Sequence, residues 1–255
     1  MVYYWLKNNL IRLLPQPCLL CGDLGHQEHD LALCSACLAD LPVLGETCIS
    51  CANPLESSFE RLESFLSQSP LLQTRHCGQC TQNSPHFDHS LAFFPYSQPF
   101  DYFVHAIKFR SKLAITSLLG QLMTQQIANT ASMLDELPDG LLPVPLHPSR
   151  QRERGYNQSL ELARPIAKQL QIPLLNDLAQ RTKATPPQSS LSLRQRRKNL
   201  KDAFAINYSV KDRHIAIIDD VMTTGTTVNA LAKKLKQAGA RRVSVWCLCR
   251  AEPPS

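Results

Sequence analysis

The sequence predicts an α/β fold, a parallel sheet flanked by helices, preceded by a small cysteine-rich module. Three observations carry this. Residues 215–218 are a short apolar run, mostly β-branched, as in a strand buried on both faces. Two carboxylates, a Thr/Gly loop, a helical pattern and a second apolar run at about 242–248 follow, completing a βαβ unit. Before residue 88, by contrast, eight cysteines fall in four C-x-x-C pairs and core-forming periodicity is scarce.

The cysteine-rich module is placed at residues 1–88. Thiolates spaced C-x-x-C reach one tetrahedral zinc as a knuckle, and two knuckles complete a site. Four pairs therefore predict two structural zinc ions. Sequential pairing puts Cys18, Cys21, Cys34 and Cys37 on one ion and Cys48, Cys51, Cys77 and Cys80 on the other; a cross-braced arrangement is the alternative. Disulfides are the competing reading, disfavoured by the regular spacing and the lack of a signal peptide. With eight thiolates present, His26, His29 and His76 read as bystanders. A module of this kind folds around its metals, so zinc removal is expected to unfold residues 1–88 and spare much of the rest. Phe59, Leu62, Phe65 and Leu66 have helical spacing and suggest a short surface helix between the last two knuckles. Residues 1–14 are amphipathic and lack a secretory core and cleavage site. They read as a helix packed on the body, with a membrane-surface anchor as the minor alternative. No segment is long and apolar enough to span a membrane. Reduced thiols without an export signal point to the cytoplasm.

The second domain is placed at 89–255. Leu91 to Tyr96 reads as a strand, Phe103 to Phe109 and Ile115 to Ile127 as helical stretches. Thr130 to Gly140 reads as a polar connection and Leu141 to Pro145 as a short strand. Gln158 to Leu170 reads as a helix kinked at Pro165. Arg181 to Lys201 is basic with no clear period. The helix from about Val228 to Ala238 keeps Val228, Leu231, Ala232 and Leu235 on one face, and Gly239 suits its C-terminal cap. Cys247 and Cys249 alternate on the last strand, so both point to one face as buried thiols.

The net charge of +6 is unevenly spread: residues 1–90 carry 4 Lys/Arg against 9 Asp/Glu, residues 91–255 carry 23 against 12. The C-terminal part is thus the anion-binding half, for a polyphosphate or a nucleic acid. Its sharpest motif is Ile215-Ala-Ile-Ile-Asp-Asp-Val-Met-Thr-Thr-Gly-Thr-Thr227. In parallel sheets ligands sit beyond the carboxyl ends of the strands, where Asp219 and Asp220 fall. Thr223 to Thr227 feed a helix N-terminus, whose free N–H groups favour a phosphate. Gly225 lets the backbone approach it. A ligand with both a sugar diol and a phosphate suits this arrangement. Taken whole, the string resembles the phosphoribosyl-pyrophosphate (PRPP) signature of type I phosphoribosyltransferases.

A second motif lies upstream. Residues 143–158 contain His147-x-x-Arg150-x-x-x-Arg154-Gly-Tyr-Asn-Gln158. That string, the knuckles before it and the PRPP signature after it resemble the ComF family, as does Lys108-Phe109-Arg110. The long link between Cys51 and Cys77 departs from the family pattern. The resemblance implies a type I phosphoribosyltransferase-like sheet behind a double zinc ribbon, and a role in competence, DNA uptake or the use of external DNA. In the implied chemistry a nitrogen nucleophile attacks the anomeric carbon of PRPP and pyrophosphate leaves. Asp219 and Asp220 would then hold the ribose hydroxyls, directly or through magnesium-bound water. Thr223, Thr224, Gly225, Thr226 and Thr227 would hold the 5-phosphate. His147, Arg150 and Arg154 would meet pyrophosphate, with Arg194, Arg196, Arg197 and Lys198 on a closing loop. A solvated basic loop is the plain alternative for the last group. Asn157 and Gln158 would fix the turn or cap the next helix. No residue reads as a nucleophile or general base, which agrees with a nucleophile supplied by the second substrate. The competing function is a non-catalytic accessory protein that binds single-stranded DNA or a helicase partner. The acidic ribbon favours a protein partner over phosphate there.

Overall fold

The computed structural model describes residues 17–24, 31–55, 75–109, 113–130, 136–183 and 202–251. The N-terminal stretch at 1–14, His26, His29, the apolar residues between 56 and 74, Arg110, and Arg194, Arg196, Arg197 and Lys198 lie outside the described residues. The chain forms two compact units, Met1–Pro42 and Val43–Ser255. The composition changes near residue 88, but the second cysteine tetrad shares its compact unit with the sheet.

The first unit is a knuckle, residues 18–21, and a one-turn helix α1 (Ser35–Ala39). Gly22, at φ +79°, closes the knuckle, donating its N–H to Cys18 O at 2.9 Å. Leu31 and Leu33 are buried beside it. The small apolar content leaves metal as the organising element.

The second unit opens on the knuckle at 48–51 and helix α2 (Gly78–Gln82). Strand β1 (His89–Pro95), α3 (Phe100–Phe109), α4 (Leu113–Thr130) and β2 (Gly140–Pro143) follow. Next come α5 (Pro148–Arg154), α6 (Gln158–Leu170), β3 (Ala179–Arg181) and β4 (Phe204–Ile206). The chain then forms β5 (His214–Met222), α7 (Thr226–Gln237) and β6 (Arg242–Arg250). The main sheet has the order β1-β6-β5-β2 and is parallel throughout. β3 and β4 pair antiparallel as a separate ribbon.

The apolar run is buried because both faces of β5 are covered. One face carries Ile215, Ile217, Val243, Val245 and Cys247 against Val228, Leu231, Ala232 and Leu235 of α7. Ala216, Ile218 and Trp246 alternate to the other face and are also buried. Helices α4 and α6 pack on each other, and α6 packs on β5 and β2. Their approach is close: a Cβ on Gly120 would stand 2.6 Å from Pro165 Cγ. Helix α6 continues through Pro165, whose ring contacts α4. Cys247 and Cys249 are buried core thiols, as expected, and burial raises both.

Two elements differ from expectation. The turn after Val144 is the short helix α5, with Pro148 at N1 and Gly155 as its left-handed C-cap. Proline at N1 and glycine past the end favour a helix, where the sequence pattern assigned no element to His147, Arg150 and Arg154. Arg181, the first residue of the basic segment, closes the strand β3, whose partner β4 lies more than 20 residues on, beyond the reach of local periodicity.

Candidate functional site

Each tetrad converges. The sulfurs of Cys18, Cys21, Cys34 and Cys37 lie within 4.8 Å of one another, as do those of Cys48, Cys51, Cys77 and Cys80. Grouping is thus sequential. The Cys21–Cys34 and Cys51–Cys77 sulfur separations are 3.8 and 3.7 Å. A tetrahedron with Zn–S bonds of about 2.3 Å has edges of about 3.8 Å, so zinc fits both. Disulfides do not fit these distances, and all ten cysteines are free. Burial opposes charge on Cys18, yet backbone N–H groups of Cys21, Cys34 and Leu20 hold its thiol at about 6. The N–H groups of Cys77, Cys51 and Ser50 likewise outweigh burial at Cys48 and hold it at about 7. His76 is engaged by Ser50 Oγ through Nδ1 at 2.9 Å and stands outside the ligand set.

At the carboxyl end of β5 the acidic pair diverges. Asp219 continues the α7-facing row of Ile215 and Ile217, while Asp220 turns to the other face by the strand's two-residue period. Lys108 Nζ on α3 lies 2.7 Å from Asp220 Oδ2. Ser159 Oγ donates to Asp219 Oδ1 at 3.2 Å, and Asp220 N donates to the same oxygen at 3.0 Å. Both carboxylates are buried. Burial, then the charge of Asp220, pushes the Asp219 carboxyl up to about 8. Burial works against Asp220 as well, but Lys108 prevails and holds it below the usual range, with a smaller pull from Arg154.

Beyond the pair, Gly225 adopts φ +69° as the N-cap of α7 and offers no side-chain cap of its own. Thr224 Oγ1 and Thr226 Oγ1 share a hydrogen bond of 2.7 Å. Asp219, Thr223, Gly225, Thr226 and Thr227 line a small cavity of about 30 Å³. A larger cavity of about 590 Å³ adjoins the loop at Thr224–Thr226 and is bounded by Phe87, Phe204, Asn229 and Lys233.

The upstream motif serves both structure and charge. His147 caps α5 through Nδ1, which accepts from Ser149 N at 3.3 Å and contacts Ser149 Oγ at 2.7 Å. Arg150 pairs with Glu153 on the same helix at 2.9 Å. Tyr156 Oη donates to Ile107 O, tying the motif to α3. Asn157 caps α6, accepting from Ser159 N at 3.0 Å and donating to Val144 O at 3.0 Å. Gln158 is buried.

Three residues absent from the expected site belong to its setting. Ser159 touches Asp219. Arg181 on β3 is lowered by burial, a shift opposed by Asp219 and reinforced by Arg150. These charges therefore share one electrostatic neighbourhood. Arg250, at the end of β6, is buried, and its Nη1 donates to Met222 O at 2.8 Å and to Thr223 O and Ala251 O. A charge ending an apolar strand was the only available signal for Arg250, and its burial was not legible; Arg181 offered none.

Residues 157–254 match the family model of the phosphoribosyl transferase domain, and residues 10–81 match that of the double zinc ribbon domain. The DNA utilization protein YhgH of Escherichia coli O157:H7 is 38% identical over 175 residues, covering 68% of this chain and 77% of that protein. Competence protein F of Haemophilus influenzae is 35% identical over 181 residues, covering 69% of this chain and 79% of that protein. Competence protein ComFC of Streptococcus pneumoniae is 24% identical over 245 residues, covering 91% and 99%. Among the described residues, no helix is long and apolar enough to cross a membrane.

Proposed function

The chain belongs to the ComF family, that of competence protein F and DNA utilization protein YhgH, and on that premise we propose that it binds PRPP at the carboxyl end of β5 and serves the uptake or use of DNA. The observation that carries this reading is the convergence of Asp219 with Thr223, Gly225, Thr226 and Thr227 on one small cavity at a helix N-terminus. The N–H groups of a helix N-terminus and the threonine hydroxyls suit the 5-phosphate. Asp219 and Asp220 hold the ribose hydroxyls, the second after Lys108 has yielded its place. Asp219 and the threonines offer only oxygen donors, the set that magnesium takes. Bound with PRPP, that ion would neutralise pyrophosphate charge and keep several of its waters.

His147, Arg150, Arg154, Arg194 and Arg197 are assigned to pyrophosphate, where stabilisation of the leaving charge supplies the catalysis of a transferase. Arg154 acts electrostatically on Asp220, and Arg150 on Arg181, which supports this for the first two arginines. The 590 Å³ cavity has room for an acceptor. Residues 1–88 form the double zinc ribbon, with four thiolates to each ion, and 89–255 the transferase-like domain. The protein works in the cytoplasm.

The test is calorimetric titration of PRPP with magnesium into the zinc-loaded protein. Micromolar binding is expected, and Asp219→Asn with Asp220→Asn should abolish it with two zincs retained. Unchanged affinity in that variant would overturn the assignment. The excess of basic residues after residue 90 favours a second reading, single-stranded DNA binding. Arg194, Arg196 and Arg197 changed together to Ala should then flatten the salt dependence of DNA binding. Equal slopes before and after would remove that patch from consideration.

A further inference from the structure

The knuckle at 48–51 is bonded to the sheet by three consecutive carbonyls. Ile49 O accepts from Ser90 N at 3.1 Å, and Ser50 O accepts from Ser90 Oγ at 2.7 Å. Cys51 O accepts from Arg250 Nε at 3.0 Å. The same guanidinium donates through Nη1 to the carbonyls of Met222 and Thr223, where β5 gives way to the threonine loop. One buried, planar cation thus spans from a zinc knuckle to the start of the phosphate loop. Its donors are fixed in one fork, so moving one acceptor changes the fit of the others. Each acceptor named here is a neutral carbonyl. A buried guanidinium so held needs all of them, because an unmet charged donor in the interior is costly.

The knuckle's shape depends in turn on its metal. Cys77 N donates to Cys48 Sγ at 3.2 Å, and Cys48 N donates to Asn53 O at 2.8 Å. Bringing four thiols together without an ion has no compensating interaction of comparable strength. When zinc leaves, the 48–51 turn loosens and Cys51 O no longer fixes Nε. We propose that Arg250 is a positioning residue that sets the Thr223–Thr227 loop and couples its order to zinc in the second tetrad. That PRPP is the ligand so affected rests on the function proposed above; the coupling itself does not.

Amide hydrogen exchange tests the coupling without a ligand. In the wild-type chain, chelation of zinc should speed exchange at residues 222–227 by about tenfold or more, the effect of losing one charge-assisted hydrogen bond. In Arg250→Lys the loop should exchange faster from the outset, with both zincs still bound, and should respond little to chelation. PRPP affinity should fall about tenfold or more in Arg250→Lys at unchanged zinc content. With bound PRPP, the wild-type knuckle at 48–51 should gain protection that the variant lacks, as reciprocal linkage demands. A wild-type loop indifferent to chelation, or an Arg250→Lys loop that exchanges like wild type, would overturn the coupling. Failure of wild type to bind PRPP, with the exchange coupling intact, would instead overturn the PRPP reading alone.

Discussion

Replacing Lys108 with Met isolates the ion pair on which the acidic site rests. Lys108 Nζ stands 2.7 Å from Asp220 Oδ2, with side chains 24% and 6% exposed. At an effective dielectric of about 20, opposite charges at that distance attract by about 6 kcal/mol. Desolvation of both groups cancels part of it, and breaking a buried pair typically costs about 3–5 kcal/mol. The partial exposure of the lysine brings the expected loss to about 2–4 kcal/mol. In a unit of this size that lowers Tm by about 4–16 °C. The pH dependence supplies a signature. In the wild type Asp220 is held below its unfolded value of about 4, so the pair's stabilisation is present above that pH and is lost as pH falls through the folded value. Without the lysine, burial raises Asp220, and stability should fall as pH rises above about 4. The deficit measured by denaturant unfolding should therefore be larger at pH 8 than at pH 5. Lys108→Met with Asp220→Asn should recover most of it. A deficit under about 1 kcal/mol at pH 8, or one equal at both pH values, would refute the reasoning.

Other outcomes follow from single positions. Gly225→Ala makes only an ordinary van der Waals contact, with Met222 Sδ at 3.7 Å, so its cost is the φ of +69°, about 1–2 kcal/mol. PRPP titration should show affinity about 5- to 30-fold weaker with the fold retained. Gly120→Ala would press a Cβ to within 2.6 Å of Pro165 Cγ, and melting should report about 1–3 kcal/mol of destabilisation. Asp219, raised to about 8 by burial and the Asp220 charge, binds a proton more tightly folded than unfolded. Its contribution to stability therefore falls as pH climbs from about 4 toward 8, and Asp219→Asn should remove that slope from a pH series of unfolding curves.

The β5–loop–α7–β6 unit was legible because its signals are local: a buried run, an acidic pair, a glycine turn and a 3.6-residue stripe lie within 36 consecutive residues. The knuckles were legible because zinc ligation fixes their spacing. What escaped depends on contacts distant in sequence. Lys108 stood out only through the resemblance, since nothing near it announces a carboxylate 112 residues away. Arg250 reads as the end of a strand until Cys51 and Thr223 are brought to it. For the same reason the effect of zinc loss should reach past residues 1–88 into the sheet edge, because the second knuckle is bonded to β1 and β6.

The place of β1 in the sheet bears on how the chain is made. Its partner in the sheet is β6, and Ser90 pairs with Val245, roughly 150 residues later. At about 5–20 residues per second a ribosome needs about 8–30 s to cover that interval. Through those seconds β1 lacks its strand partner, and an unpaired strand is a template for aggregation. The knuckle at 48–51 has already emerged, and it takes both hydrogen bonds from Ser90. Metal bound during translation thus gives the nascent strand an early neighbour. Zinc-starved cells should accumulate insoluble chain, while the molecules that mature with both zincs bound keep full function.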